Sequence, residues 1–478
     1  MDKRTSIKET IKSIVIVVLT LSTILLLYVF WKDLRLTQIS FSEIDLNFGF
    51  GEEEPVRAHL VEDIAIPSAI IIGTGEGDFI VKTDTKELYG SPDDPNSMVS
   101  VISNFGRGEE LFIEEISEEQ YNKAYKYKSV RAVFDYLLPI LDYYKFRGEK
   151  AFSGVEDVSN LSEIGFSEVA EDSVLVRDAR QNRYFRVVTG TAGSDWMDTF
   201  FATHDFSEEA SYYPMEAFLG QGIGADVLVP MYMESDMAPH DVYLGRDSAA
   251  DLIRAKAFFG KTFDFVRKIE EAGGKVIYMY GYGETTLILA EDGSIEYKAG
   301  TTGRQEINYF EALDVAIKFL DSHEPISTGA AILPGVRLEN SHIDSSGYKT
   351  YRFEFGQMID GEDIFFEEGP SMIVEVSGGV VSYFYAKRPF VTELTEAERP
   401  DKQEVFAAIN AIAANYEDIA RLLGEPLTME AVAQRLTSVK AGYLCEGGKL
   451  TPVWKIEADG LKESLYFDLY TAEKYGLD

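Results

Sequence analysis

Residues Ile14 to Trp31 read IVIVVLTLSTILLLYVFW, eighteen in a row without a charge. A helix of that length covers about 27 Å, close to the roughly 30 Å hydrocarbon core of a bilayer. Tyr28, Phe30 and Trp31 stand at its end, where amphipathic rings favour the membrane–water interface. Lys3, Arg4, Lys8 and Lys12 precede it against Asp2 and Glu9, which leaves the flank at +2; the whole chain carries −36, so −38 falls on the residues beyond the run. The positive-inside rule then keeps the N-terminus in the cytoplasm and exports the rest. A cleaved signal peptide is the rival reading. The run is longer than a usual signal core, and KDLRLTQIS at 32–40 offers no small-x-small cleavage site. Thr20, Ser22 and Thr23 interrupt the aliphatic run with hydroxyls, which in lipid mark close-packing helix faces. They are the candidate transmembrane contact residues; bonding to the carbonyl four residues back is the plainer use of such a hydroxyl.

The chain as a whole has material for well-buried cores, with 45% hydrophobic and 13% aromatic residues in 478. With 81 acidic against 45 basic residues it repels phosphate backbones, so nucleic-acid binding is not expected. Cys445 is the single cysteine, which excludes a disulfide framework within one chain.

Along the chain, GFGEEEP (49–55) belongs to a stalk, since glycine, an acidic run and proline resist burial. Ile70–Ile72 and Phe79–Lys82 are strand-like. The stretch 118–145 has helical spacing, with Val130, Phe134, Leu137, Leu138 and Leu141 on one face and a break expected at Pro139. Strands are expected at Val174–Arg177, Tyr184–Val188 and Val227–Met233. From about 246 onward a helix followed by an antiparallel meander recurs. The first helix starts after Asp247 or Ser248 and runs to Gly273-Gly274, with strands next at 275–280, 285–290 and 294–299. The second unit has a helix at 307–322 and strands across 328–386, turning at 345–347, 359–361 and 377–379. The third has helices at 402–423 and 428–436 and strands near 438–445, 450–457 and 463–470.

The fold class is therefore α+β, an N-terminal transmembrane helix followed by a multi-domain extracytoplasmic region of helix-plus-antiparallel-meander units. The expected divisions are a cytoplasmic N-terminus (1–13), the transmembrane helix (14–31), a linker (32–57), an N-terminal α+β domain (58–245), a middle α+β domain (246–326) and a C-terminal α+β domain (327–478).

Chemistry-bearing motifs are sparse. GTGEGDF (73–79) leads into a strand, with no helix or Gly-Lys-Ser/Thr to cradle a phosphate, and reads as a hairpin turn; GYGE (281–284) reads the same way. His59, His204, His240, His323 and His342 form no HExxH or other close ligand pair. His204-Asp205 and His240-Asp241 set a carboxylate beside an imidazole, but neighbours on a strand point to opposite faces. Glu52-Glu53-Glu54 and Glu367-Glu368 read as solvated, with no DxDxDG calcium loop. No GxSxG or SxxK motif has a usable context, and Cys445 has no basic neighbour in sequence. No catalytic, cofactor-binding or metal-ligating residue is singled out, no cofactor is expected, and the chain is read as a non-enzyme.

AFFGKTFDFVRKIEEAGGKVIYMYGYGETTLILAEDGSIEYK (257–298), IKFLDSH (317–323) and YKTYRFEFGQMIDGEDIFF (348–366) resemble the YycH family. The C-terminal LTPVWKIEADG (450–460) and YFDLYTAEKYG (466–476) resemble YycI and PepSY-type endings. Lys298-Ala299 departs from the Asn-Pro often found there in the family. The resemblance implies a cell-membrane protein that regulates the essential WalK/YycG sensor histidine kinase, which governs cell-wall metabolism in Gram-positive bacteria. Its partners would be that kinase and a YycI-like sister protein, met through the anchor helix and the outer domains. A binding module for a peptide or wall fragment is the alternative, and a wall-acting enzyme the second.

Overall fold

The structure, a computed structural model, describes residues 60–475 except 91–93, 95–96, 101–111, 147–157, 159, 189–192, 221–226, 243–244, 247, 301–304, 324–336, 345–348, 360, 368, 388–399 and 425–426. The expected membrane segment with Thr20, Ser22 and Thr23, the linker, His59 and the turn at 345–347 lie outside these residues. Among the described residues no helix is long and apolar enough to cross a membrane.

Among the described residues nine strands form the first sheet: β1 (Ala69–Gly73), β2 (Phe79–Lys82), β3 (Phe112–Ile116), β4 (Ser129–Leu138), β5 (Leu161–Ser167), β6 (Ser173–Asp178), β7 (Arg183–Val188), β8 (Ser211–Pro214) and β9 (Leu228–Pro230). Their spatial order is β3-β7-β6-β5-β4-β1-β2-β8-β9. The helix expected across 118–145 is overturned. Only Glu118–Ala124 and Ile140–Phe146 are helical, and β4 lies between them. Val130, Ala132, Phe134, Tyr136 and Leu138 are the buried positions, spaced by two. The helical stripe passed over Ala132 and Tyr136, and the sheet on either side of β4 decided in favour of the strand.

The second sheet holds the meanders. Arg267–Glu270, Val276–Tyr280, Thr285–Leu289 and Ile295–Ala299 pair in succession. The last of these then pairs with Val380–Ala386, so the first meander is continuous with the strands of the second unit. The long strand Thr350–Ile359 pairs with Met372–Ser377 over its first half and with Glu362–Phe366 over its end. Glu362–Phe366 runs parallel to Leu436–Glu446, which joins the C-terminal hairpins to the same sheet. The helix expected to reach Gly273-Gly274 ends sooner. It spans Asp251–Phe259 and stops at Gly260, whose φ of 48° leaves the helical region. Arg267–Glu270 is an edge strand, and Gly273-Gly274 is the turn of the hairpin it opens.

One core serves both sheets. Ile72, Phe134 and Phe166 of the first belong to the same apolar cluster as Leu287, Phe353 and Phe384 of the second. The helix Tyr309–His323 lies between, burying Phe310, Leu313, Ile317 and Leu320. Phe310 meets Tyr143 edge-on at 5.4 Å, and the Tyr309 N–H donates to Asp142 at 3.4 Å. Each such side chain contributes about 1.5–3 kcal/mol on burial, so these aromatics hold the two sheets together. A second cluster gathers the helix Ala408–Leu422 against the C-terminal hairpins. Trp454, from the Pro-Val-Trp strand, is buried there and donates its indole N–H to the Phe406 carbonyl at 2.9 Å.

Candidate functional site at the junction of the two sheets

A cleft of about 690 Å³ opens where the edge of the first sheet faces the tip of the Thr350–Ile359/Glu362–Phe366 hairpin. One wall is β2 and β8, paired at Phe79–Tyr212 and Ile80–Ser211. Ser211 donates to Asp78 at 3.0 Å, and Lys82 closes on Glu209 at 2.7 Å.

The second wall is the chain crossing from the first sheet to the second. The strand expected over Val227–Met233 is shorter, ending at Pro230 opposite Tyr212. The Met231 N–H still donates to the Ser211 carbonyl at 3.2 Å, and the chain leaves the sheet after it. Met231 and Tyr232 are left 62% and 56% exposed in the lining. The far end is pinned: the Val405 N–H donates to the Met233 carbonyl at 2.9 Å, Glu234 and Ser235 pair with Glu404 and Gln403, and the Tyr470 hydroxyl donates to the Met237 carbonyl at 2.7 Å.

The third wall carries Glu362, the first strand residue after the turn at Gly361, whose φ of 86° suits glycine. Burial pushes the half-buried Glu362 carboxyl up to about 7, and the charges of Asp363 and Asp236 push it the same way. Among the described residues no hydrogen-bond donor or cation engages this carboxylate. Across the cleft, the Tyr212 hydroxyl is raised to about 12 by burial and by the charges of Glu362 and Glu209. Among the described residues five carboxylates line the space against Lys82 and Lys402, and Lys82 is already paired with Glu209. The site can therefore attract a cation and hold apolar surface against tyrosine and methionine. It repels anions.

The residues singled out from sequence fall elsewhere. Gly73 pairs with Phe79 across a hairpin turn, and Gly281–Gly283 is a turn between strands. The His204 ring stacks on Phe206 and lies 3.0 Å from the Phe200 carbonyl. His240 is buried 3.3 Å from the Tyr443 hydroxyl, while Asp241 is exposed on the opposite side. His323 stacks on Phe319 at 4.1 Å, and burial lowers its pKa. His342 stands on the strand Arg337–Asp344, in register with Arg352. Burial raises the Cys445 thiol to about 11, which keeps it protonated and unreactive near neutrality. Among the described residues no group of three or more His, Cys, Asp or Glu is placed to hold a metal. Sequence reasoning missed Glu362, Tyr212 and Tyr232. The turn before Glu362 was visible, but its surroundings come from residues far away along the chain.

No family model and no curated protein sequence matches the chain. Its fold is similar to that of YycH from Bacillus subtilis, with a TM-score of 0.52 at 13% identity, covering 84% of this chain and 96% of that one. The resemblance read from residues 257–298 and 348–366 thus holds at the level of fold. The C-terminal domain of YpeB from Bacillus megaterium aligns over 49% of this chain and 98% of that one, at a TM-score of 0.27 and 10% identity.

Proposed function

We propose that this protein is a membrane-anchored extracytoplasmic regulator of a sensor histidine kinase that controls cell-wall metabolism. It acts by protein–protein contact with the kinase and with a YycI-like sister protein. The observation that carries this reading is the YycH-like fold along 84% of the chain. The uncharged run at 14–31 and its +2 flank support an anchor with the bulk of the chain outside the cell. In this reading Thr20, Ser22 and Thr23 mark the helix face that meets the kinase. In this reading the protein works by contact and not by catalysis.

The test is co-purification of the full-length chain from membranes, with partners identified, beside a variant whose residues 14–31 are replaced by an unrelated helix of equal length. The native chain brings down the kinase and the sister protein; the variant inserts and folds but loses most of the kinase. A partner set without the kinase overturns the regulatory reading, and undiminished capture by the variant reduces the helix to a tether. Protease added to wall-stripped cells should also remove a C-terminal tag.

The cleft favours a second reading alongside the first. Its walls of tyrosine, methionine and unpaired carboxylate suit a binding module for a peptide or wall fragment.

A further inference from the structure

We propose that the cleft between the two sheets binds an extended peptide through one lysine or arginine side chain, whose cationic head pairs with Glu362 while its stem lies along Tyr212 and Tyr232. The inference rests on the binding-module reading and names the ligand class of that site; it does not depend on which kinase the protein regulates.

The volume of about 690 Å³ is far too large for one ion and within the range of sites for small ligands. Charge then selects the sign. An ionised carboxylate removed from water needs a partner, and Glu362 has none among the described residues. Asp236 and Asp363 deepen the same negative potential, and Lys402 in the lining is not among the charges acting on Glu362. A ligand cation is the missing complement. A bare divalent metal is a poor fit, because it needs several converging oxygens and no such group is present among the described residues.

The walls then select what carries the cation. Tyr212, Tyr232 and Met231 offer ring faces and a thioether, surfaces that pack against the methylene stem of lysine or arginine and stabilise the head by cation–π contact. Asp84, Glu208, Glu209 and Glu234 in the lining are exposed and solvated, so Glu362, the carboxylate drawn out of water, is the one that calls for a cation. The tyrosine and methionine surfaces beside it, Tyr212, Tyr232 and Met231, suit uncharged chain on either side. A peptide with a single basic residue has that pattern, whereas a polyamine is charged again every few carbons.

The experiment is titration calorimetry of the full-length chain in detergent at pH 8, with the peptide acetyl-GAAKAAG-amide. The same peptide with norleucine in place of lysine, and spermidine, are the comparators. The lysine peptide should bind at least tenfold more tightly than the norleucine peptide, and more tightly than spermidine. Glu362→Gln, nearly isosteric, should remove that tenfold preference. Tyr232→Ala, at an exposed position whose loss cannot unfold the core, should weaken the lysine peptide several-fold. Binding should also weaken from pH 8 to pH 6 as Glu362 takes up a proton, and this dependence should vanish in Glu362→Gln. The groups facing Glu362 are Asp363 on its own strand, Asp236 on the crossing chain and Tyr212 on β8, with Glu234 and Lys402 also in the lining; among the described residues no histidine lines the cleft.

Equal binding of the lysine and norleucine peptides, or full lysine preference in Glu362→Gln, overturns the proposal while leaving a binding module standing. Tighter binding of spermidine overturns the peptide and points to a free amine. No binding of any probe overturns the proposal and the binding-module reading together, leaving the regulatory reading intact.

Discussion

Glu163 in the first sheet and Glu362 at the cleft are both glutamates withdrawn from water, and they are treated in opposite ways. Burial alone would raise the Glu163 carboxyl. Arg131 at 3.2 Å, Arg177 at 2.6 Å and the Tyr121 hydroxyl at 3.3 Å more than offset it, and hold it below the ordinary carboxylate range. Glu362 is less deeply buried, but the charges acting on it are those of Asp363 and Asp236, and it rises to about 7. The Glu163 carboxylate has its counter-charges within its own sheet. The second carries an uncompensated charge beside open space, which is what a binding site has and a structural ion pair lacks.

The contrast breaks most sharply at Glu163. Glu163→Gln keeps the shape but leaves Arg131 and Arg177 without their counter-charge in a buried position. Removing one partner of a buried ion pair costs about 3 kcal/mol or more. Urea unfolding of the full chain at pH 7 should show that loss. Because the folded carboxyl lies below its ordinary 4.5, its stabilisation is present above that pH and is lost as pH falls through the folded value. The variant should therefore lose stability at pH 7 and converge on the unchanged chain in acid. A midpoint at pH 7 equal to that of the unchanged chain would show that the triad is idle.

Packing sharpens the comparison one step down. Behind Glu362 the sheet is tight: a Cβ at Gly442 would meet the Phe365 ring at 2.5 Å and the Asp363 carbonyl at 2.7 Å. Gly442→Val should cost about 2 kcal/mol by overpacking. At the mouth of the cleft, a Cβ at Gly361 would meet nothing within 4 Å, and only its φ of 86° resists a side chain. Gly361→Ala should cost about 1 kcal/mol. Equal losses at the two positions would mean that the hairpin tip is as closed as its base.

Much of the architecture was legible because local rules decided it. Phe79–Lys82, Arg183–Val188 and the three meander strands from 276 to 299 obey alternation and turn residues, and the helix Tyr309–His323 obeys its apolar stripe. β4 was misread because Val130, Phe134 and Leu138, spaced by four, fit a helical stripe as well as a period-two strand. The aromatic motifs that carried the family resemblance, Phe258, Phe353 and Trp454, are core residues. They identify the fold without marking a site. The cleft was not legible. An acid after an Asp-Gly turn reads as solvated, and only the arrival of β8 and of the 231–236 crossing withdraws Glu362 from water.

The smallest effect is the most discriminating, because its sign is unusual. A structural carboxylate such as Glu163 stabilises the fold when ionised, so removing its charge destabilises. Glu362 has a folded pKa of about 7, above the ordinary 4.5. Its favourable contribution is complete below pH 4.5 and is lost as pH rises through 7, where the folded chain must hold a charge that the unfolded chain solvates freely. Glu362→Gln should therefore raise the unfolding free energy at pH 8, and bring little change at pH 5. Solvent reaches this half-buried group, so screening reduces the gain to about 0.5–1 kcal/mol. The measurement is urea unfolding of the full chain at the two pH values without added peptide. A variant that gains stability at pH 8 while losing its lysine-peptide preference would mark Glu362 as a residue whose charge is held for a ligand at the expense of the fold. Loss of stability at pH 8 would instead mean that Glu362 is satisfied as Glu163 is, and the difference between the two regions would disappear.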